Sequence, residues 1–299
     1  MVVRLDTLVR YTSNENNHSE SDVTLYSEEE NTRGLYVHWV GITAEGEEGL
    51  TEEEISYIYK NMLFYILRRD RVFFGMYMKM QLYSSYLSTP SFTIRIALTL
   101  KGLDYEHKSV NLFKKEQFSP VYSPFLQNVE FLKINPMGYV PAIIDGDIVL
   151  ADSFAILLYL EEMYPRHPLI PCDLAKRIVN YQAASIVTSS MQPLLRIPVM
   201  FYIEEKAGLD EKISWVHYYL GKCFAALETL LKDHAGKYAT GDEIMLADVY
   251  LAPFLIGYPQ QYNFDMSKFP LLSSLGDAYI KVPAIENAMP EKQPDFPIN

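Results

Sequence analysis

Three short runs between residues 88 and 153 hold side chains with chemistry to offer. Ser88-Thr89-Pro90-Ser91 lies between an apolar run that reads as a strand and one that reads as a helix. A hydroxyl in that place can donate a charge-assisted hydrogen bond to an anion, at the positive end of the helix dipole. The same four residues also have the makeup of an ordinary helix cap. Val140-Pro141 ends a loop and opens a strand, a position that tolerates proline and permits a cis bond. A cis bond would turn the Val140 backbone outward, where its N–H and C=O can pair with an extended peptide. Asp152-Ser153 precedes the apolar series Phe154, Ile156, Leu157 and Leu160. Both residues are therefore expected at a helix N-terminus, suited to gripping the charged end of a ligand.

The elements that must hold these residues follow from periodicity. Gln81–Ser85 reads as a strand, Ser91–Lys101 as a helix stopped by Gly102, and Tyr105–Asn111 as a second strand. Asp145-Gly146 between Ala142-Ile143-Ile144 and Ile148-Val149-Leu150 is a hairpin signal. A helix over Asp152–Tyr164 completes a β-α-β-α-β-β-α order, the thioredoxin-like α/β arrangement. Pro165, Pro168 and Pro171 form a linker that cannot continue a helix. Beyond it, helical periods over Leu174–Ala207, Ser214–His234 and Ile244–Gly257 predict an all-α second domain. The division expected is an extension over 1–79, an α/β domain over 80–164, a linker over 165–172 and a helical domain over 173–299.

Composition narrows the class. A chain of 299 residues suits two ordinary domains, and its apolar and charged fractions are those of a globular protein. A net charge of −12 with no clustered basic surface argues against a nucleic-acid partner. Cys172 and Cys223 form no Cys-x-x-Cys motif and have no ligand-spaced histidines, so free thiols in a reducing cytosol are expected and no metal site. The first residues lack the apolar core of a signal peptide, and Lys60, Asn61 and Arg68-Arg69-Asp70-Arg71 interrupt the most apolar N-terminal stretch, so no membrane span is expected. Asn14–Arg33 is rich in Asn, Ser and Glu, the makeup of a segment that stays disordered. Thr51-Glu52-Glu53-Glu54 is a capping-box pattern ahead of a short helical period.

From Asn-Pro-Met-Gly-Tyr-Val-Pro-Ala (135–142) through Asp152-Ser153, the chain resembles the glutathione-binding half of the cytosolic glutathione transferases, and specifically the zeta class, or maleylacetoacetate isomerases. The likeness continues through Tyr164-Pro165, Lys176-Arg177, Asn180–Ala184, Gln192-Pro193-Leu194, Gly241-Asp242-Glu243, Leu246-Ala247-Asp248 and Glu291–Asp295. It spans roughly Met80 to the C-terminus, and plant members are the most similar.

The resemblance implies that Ser88 steadies the thiolate of glutathione, with Thr89 beside it as the cap of the first helix. It implies that Gln117 contacts the tripeptide, Val140 pairs with its backbone, Asp152 and Ser153 hold its γ-glutamyl end, and Gln192 faces the cleft. Departures are visible. Pro90 stands where the family has Cys, Thr93 and Gln261 where it has Arg, and Val121–Val129 is an apolar insertion. These weigh on the class-specific isomerisation more than on glutathione binding. Arg196, four residues after Gln192, is expected on the same helix face, replacing the charge lost at Gln261. Met245 sits where a capping hydroxyl usually precedes Asp248, leaving that helix without a side-chain cap. The activity implied is glutathione-dependent isomerisation of maleylacetoacetate by a cytoplasmic homodimer in tyrosine and phenylalanine breakdown. A general conjugating or dehalogenating transferase, and a glutathione-binding interaction protein with weakened catalysis, are the competing readings.

Overall fold

Met80, Leu82 and Ser84 are buried along β1 (Met80–Ser84) while Gln81 and Tyr83 are half-buried, the two-residue period of a strand with one face on the core. The computed structural model describes residues 79–110 and 129–297. The N-terminal segment with its expected helix after Thr51, Gln117 and the insertion at 121–128 lie outside the described residues. β1 joins β2 (Tyr105–Ser109), β3 (Ala142–Asp145) and β4 (Ile148–Ala151) in a sheet of order β2-β1-β3-β4. The β1–β2 pair is parallel, with Met80 opposite Tyr105. β3 runs antiparallel to both neighbours, with Ile143 opposite Leu82 and Leu150. Gly146, at φ 63°, makes the tight β3–β4 turn that the Asp-Gly pair predicts.

The helices are α1 (Thr89–Leu100), α2 (Val129–Ile134), α3 (Ser153–Met163), α4 (Leu174–Ser185), α5 (Gln192–Leu195), α6 (Ile197–Ala207), α7 (Leu209–Leu231), α8 (Leu246–Gln261), α9 (Pro270–Tyr279) and α10 (Pro283–Ala288). Helix α1 is buried all round from Ser91 to Leu98, because α3 packs on it from its own domain and α8 and α10 from the helical one. One apolar core therefore runs through both halves, from Leu82 and Ile143 to Leu251 and Phe254.

Several helix boundaries differ from those the sequence predicts, the period expected over Ser214–His234 being a helix over Leu209–Leu231. The first helix begins two residues early, at Thr89, because Ser88 and not Thr89 is its cap. The expected helix over Leu174–Ala207 is interrupted by a π-helical turn, Ile186–Met191, and again at Arg196, whose backbone is extended (φ −71°, ψ 148°). Pro193 and Pro198 lack the N–H that an unbroken ladder needs, which accounts for both interruptions. Conversely, α8 continues to Gln261 through Pro253 and Pro259. Burial of nearly its whole first half outweighs the local penalty of proline there.

Two buried polar centres brace the fold, one at the linker and one inside the helical half. The Lys101 ammonium pairs with Glu161 at 2.6 Å and donates to the carbonyl of Tyr164 at 2.9 Å, while Glu161 accepts the N–H groups of Leu169 and Ile170. The proline-rich linker is thereby pinned at both ends of its turn. At the start of α8, Asp248 is fully buried and accepts from the N–H groups of Ala239 and Met245, each at 2.8 Å, and from the Tyr279 hydroxyl at 2.6 Å. The lost cap hydroxyl at Met245 is compensated from within the helix.

Burial raises the Asp248 carboxyl to about 6, against the pull of those three donors. An unfolded aspartate titrates near ~3.9, so between the two values the native state holds a proton that the unfolded chain does not. The contribution of Asp248 to stability is thus full below about pH 4 and declines as pH rises to about 6. Asp248→Ala should destabilise at every pH. Its penalty, measured by urea denaturation, should be larger at pH 4.5 than at pH 7 by about 2 kcal/mol.

Candidate active site

The strand–helix junction at the end of β1 folds as a turn in which the Ser88 N–H donates to the Ser85 carbonyl at 3.1 Å. That turn aims the Ser88 side chain back at its own helix, where its oxygen accepts the Ser91 N–H at 3.2 Å. The hydroxyl proton faces the Val140 carbonyl at 3.5 Å, a long and weak bond. Ser88 is 7% exposed. Its oxygen is polarised by a helix N-terminus while its proton has only a weak partner, and a nearby anion could take that proton's bond in the carbonyl's place.

Val140 reaches this position through the loop that precedes it. Asn135 is buried and ties the loop to itself: its amide donates to the Tyr139 carbonyl at 2.6 Å, and its side-chain oxygen accepts the Met137 N–H at 3.1 Å. Gly138 makes the reversal at φ 69°. The Val140-Pro141 bond is cis. Among the described residues the Val140 N–H makes no hydrogen bond. Val140 packs with Val110, Phe131 and Ala142 in a small apolar cluster that Ile197 of α6 also joins.

Asp152 caps α3, accepting the N–H groups of Phe154 and Ala155 at 2.9 and 3.1 Å. It does so at φ 77°, a conformation rare for a residue with a Cβ and one that clusters at ligand-holding sites. Ser153 is buried beside it, close to the buried Tyr250 hydroxyl from α8, which has no well-formed hydrogen bond among the described residues.

Of the residues singled out in the sequence, Ser88, Thr89 and Val140 are brought together, and Asp152 and Ser153 occupy the neighbouring helix start across β3–β4. Gln192 begins α5, and its amide nitrogen is buried without a partner among the described residues. Arg196 corrects the expectation of a shared helix face: the helix ends at Leu195, and the extended Arg196 swings its guanidinium over the Tyr139 ring at 4.9 Å. It stands next to Val140 because a break in the helix puts it there. Gln261 is exposed at the end of α8, and among the described residues no hydrogen bond links it to the others.

Three contributors escape sequence reasoning. Asn135 carried a signal, since Asn-Pro in a loop is a turn former. Arg95, amid Phe92-Thr93-Ile94 and Ile96-Ala97-Leu98, carried another, since a cation flanked by apolar residues on every side of a helix must find buried partners. Tyr258 had none; its hydroxyl donates to the Leu195 carbonyl at 3.0 Å and lies beside the Thr89 side chain, tying α8 to both walls of the cleft.

Residues 82–168 match the glutathione S-transferase N-terminal domain and residues 195–289 the glutathione S-transferase C-terminal domain. A zeta-class glutathione S-transferase of Euphorbia esula is 55% identical over 217 residues, covering 73% of this chain and 92% of that protein. The maleylacetoacetate isomerase of Rattus norvegicus is 38% identical over 72% of this chain and 94% of its own length. The crystal structure of maleylacetoacetate isomerase from Anaeromyxobacter dehalogenans 2CP-1 with bound glutathione superposes with a TM-score of 0.63 at 32% identity, over 73% of this chain and 98% of that one. The chain belongs to the glutathione S-transferase family, in its zeta class.

Asn135→Ala should leave the fold intact and raise the KM for glutathione about tenfold, the equivalent of about 1.4 kcal/mol, by freeing the loop that presents Val140. Steady-state kinetics with glutathione varied would check it.

Proposed function

We propose that this protein isomerises maleylacetoacetate to fumarylacetoacetate, using glutathione as a co-substrate regenerated in each cycle. The thiolate adds to the cis double bond, leaving a carbon–carbon single bond and placing the electron pair on the conjugated carbonyl. Rotation about that bond and return of the electron pair expel the thiolate and leave the trans isomer. No atom is gained or lost.

The observation that carries this reading is the Ser88 hydroxyl, held by the Ser91 N–H and only weakly occupied at the Val140 carbonyl. A bound thiol at that point meets a hydroxyl donor and a helix N-terminus, which lower its pKa from the ~8.5 of a free thiol. Val140 supplies a backbone N–H and C=O for the tripeptide's cysteine, and Asp152 with Ser153 the grip on its γ-glutamyl end. The unpartnered Gln192 amide N–H donates to the ligand from the α-helical side. Relatives named as isomerases favour this chemistry over general conjugation or a non-catalytic role.

Arg196 is a cation beside the Val140 loop, seated on Tyr139. It recognises a carboxylate of the substrate where the family's arginine has become Gln261. A homodimer is supported by Leu174, Ile178 and Tyr181, exposed together along one face of α4 and spaced four and three residues apart. Among the described residues no helix is long and apolar enough to cross a membrane. We place the enzyme in the cytoplasm, in the breakdown of tyrosine and phenylalanine.

Ser88→Ala should abolish glutathione-dependent turnover of maleylacetone, by about 100-fold or more, while retention on immobilised glutathione persists. Unchanged turnover would remove the serine from the mechanism. Arg196→Ala should raise the KM for a maleyl substrate about tenfold with the KM for glutathione unmoved; an unchanged maleyl KM would show that this cation does not meet the substrate.

A further inference from the structure

Arg95 is the largest fully buried side chain among the described residues, and it lies behind the loop that carries Ser88. Its Nε donates to the Ala288 carbonyl at 3.0 Å, and its Nη1 donates to Ser84 Oγ at 2.9 Å and to the Ser85 carbonyl at 3.2 Å. The Ser85 carbonyl is the same oxygen that accepts the Ser88 N–H. The next residue, Tyr86, is held from the C-terminal tail: its N–H donates to Asp295 Oδ2 at 2.9 Å, across 209 residues of sequence, and its ring meets Phe296 edge-on at 5.3 Å. Gln293 anchors the tail by donating to the carbonyls of Asn287 and Met289. Ser84 at the end of β1 and Ser85 and Tyr86 in the turn that follows are thus held by one cation and one carboxylate.

This arrangement is a poor way to gain stability. Two of the five guanidinium donors, those on Nη2, have no partner among the described residues. Burial lowers the Arg95 pKa to about 10, with Tyr105 and Asp295 opposing it. His107 stands 3.3 Å from Asp295 Oδ1, and burial lowers its pKa against the pull of that carboxylate. A desolvated charge centre of this kind costs about as much as it returns compared with apolar packing. What it does return is geometry, since a planar fork fixes direction as well as distance.

We propose that Arg95 and Asp295 are positioning residues that hold the Ser84–Tyr86 turn so that the Ser88 hydroxyl points at the sulfur of bound glutathione. The proposal rests on the reading of Ser88 as the thiolate's donor. It makes the extreme C-terminal tail, far from the cleft in sequence, part of what ionises the thiol. Removing Asp295 frees the Tyr86 N–H and lets the turn relax. The Ser88 hydroxyl then spends more time away from the sulfur, while the Val140 and Ser153 contacts to the tripeptide stay in place.

The test uses the full-length protein and reads the ultraviolet absorbance of the bound thiolate against pH for the wild type, Ser88→Ala and Asp295→Ala. Asp295 lies in the tail and its removal opens no cavity in the core, so this variant avoids the folding risk of Arg95→Ala. Binding of S-methylglutathione, which has no thiol to ionise, reports the tripeptide grip separately. In Asp295→Ala the thiol's apparent pKa should rise toward the ~8.5 of a free thiol, and kcat/KM at pH 7 should fall about tenfold, with S-methylglutathione affinity within about twofold of wild type. Arg95→Lys, if folded, should show the same rise because the fork is lost. If the wild type does not lower the thiol pKa, or Ser88→Ala leaves it unmoved, the thiolate reading itself fails and the proposal with it. If Ser88→Ala raises the pKa and Asp295→Ala changes only the melting temperature, the tail is merely structural and the proposal alone is overturned.

Discussion

One hydroxyl group, on Ser88, is asked to do two things at once. Its oxygen closes the N-terminus of α1 by accepting the Ser91 N–H, and its proton is left facing a carbonyl too distant to hold it firmly. A cap of this kind is ordinarily a stability element. Placed within reach of the Val140 backbone, it is free to donate to an anion in the carbonyl's stead.

The groups that hold these two positions come from both halves of the molecule. Asn135 stiffens the loop before Val140, and Arg95 with Asp295 stiffens the turn before Ser88. Helix α8 runs past both, with Tyr250 near Ser153 and Tyr258 between Leu195 and Thr89. Neither domain could form the cleft by itself, because α1 is apolar or buried on every side and needs α8 and α10 to cover the face that the sheet does not.

The departures from the usual zeta pattern have distinct physical meanings. Pro90 falls at the second position of α1, where a missing N–H costs nothing. Thr93 is buried and returns its hydroxyl to the Thr89 carbonyl, so this position offers no charge to the cleft. Gln261 is exposed at the end of α8, and Arg196 is the cation that the break between α5 and α6 delivers to the Val140 loop. Ser88 keeps its place at the start of α1, and Arg196, not Gln261, is the position with a cation beside the Val140 loop.

Local signals were enough to read the four strands, the Gly146 turn, the Gly102 stop and the helix start at Asp152, because each depends on side chains within a few residues, whereas the first helix starts earlier than they suggested, with Ser88 and not Thr89 as its cap. The cis bond at Val140-Pro141 and the pairing of Ser88 with Val140 followed from motif order, which the fold preserves. Only the tertiary structure decided the rest. Pro253 is carried inside α8 by burial, whereas Pro193 and Pro198 interrupt α4–α6. Arg196 turned away from the face that an unbroken helix would have given it. Arg95 found its partners 193 and 10 residues away, and Asp295 found Tyr86 across 209. Such contacts leave no periodic trace in a sequence, since a hydrogen bond between distant residues is fixed by the packing of whole elements and not by the spacing of neighbours.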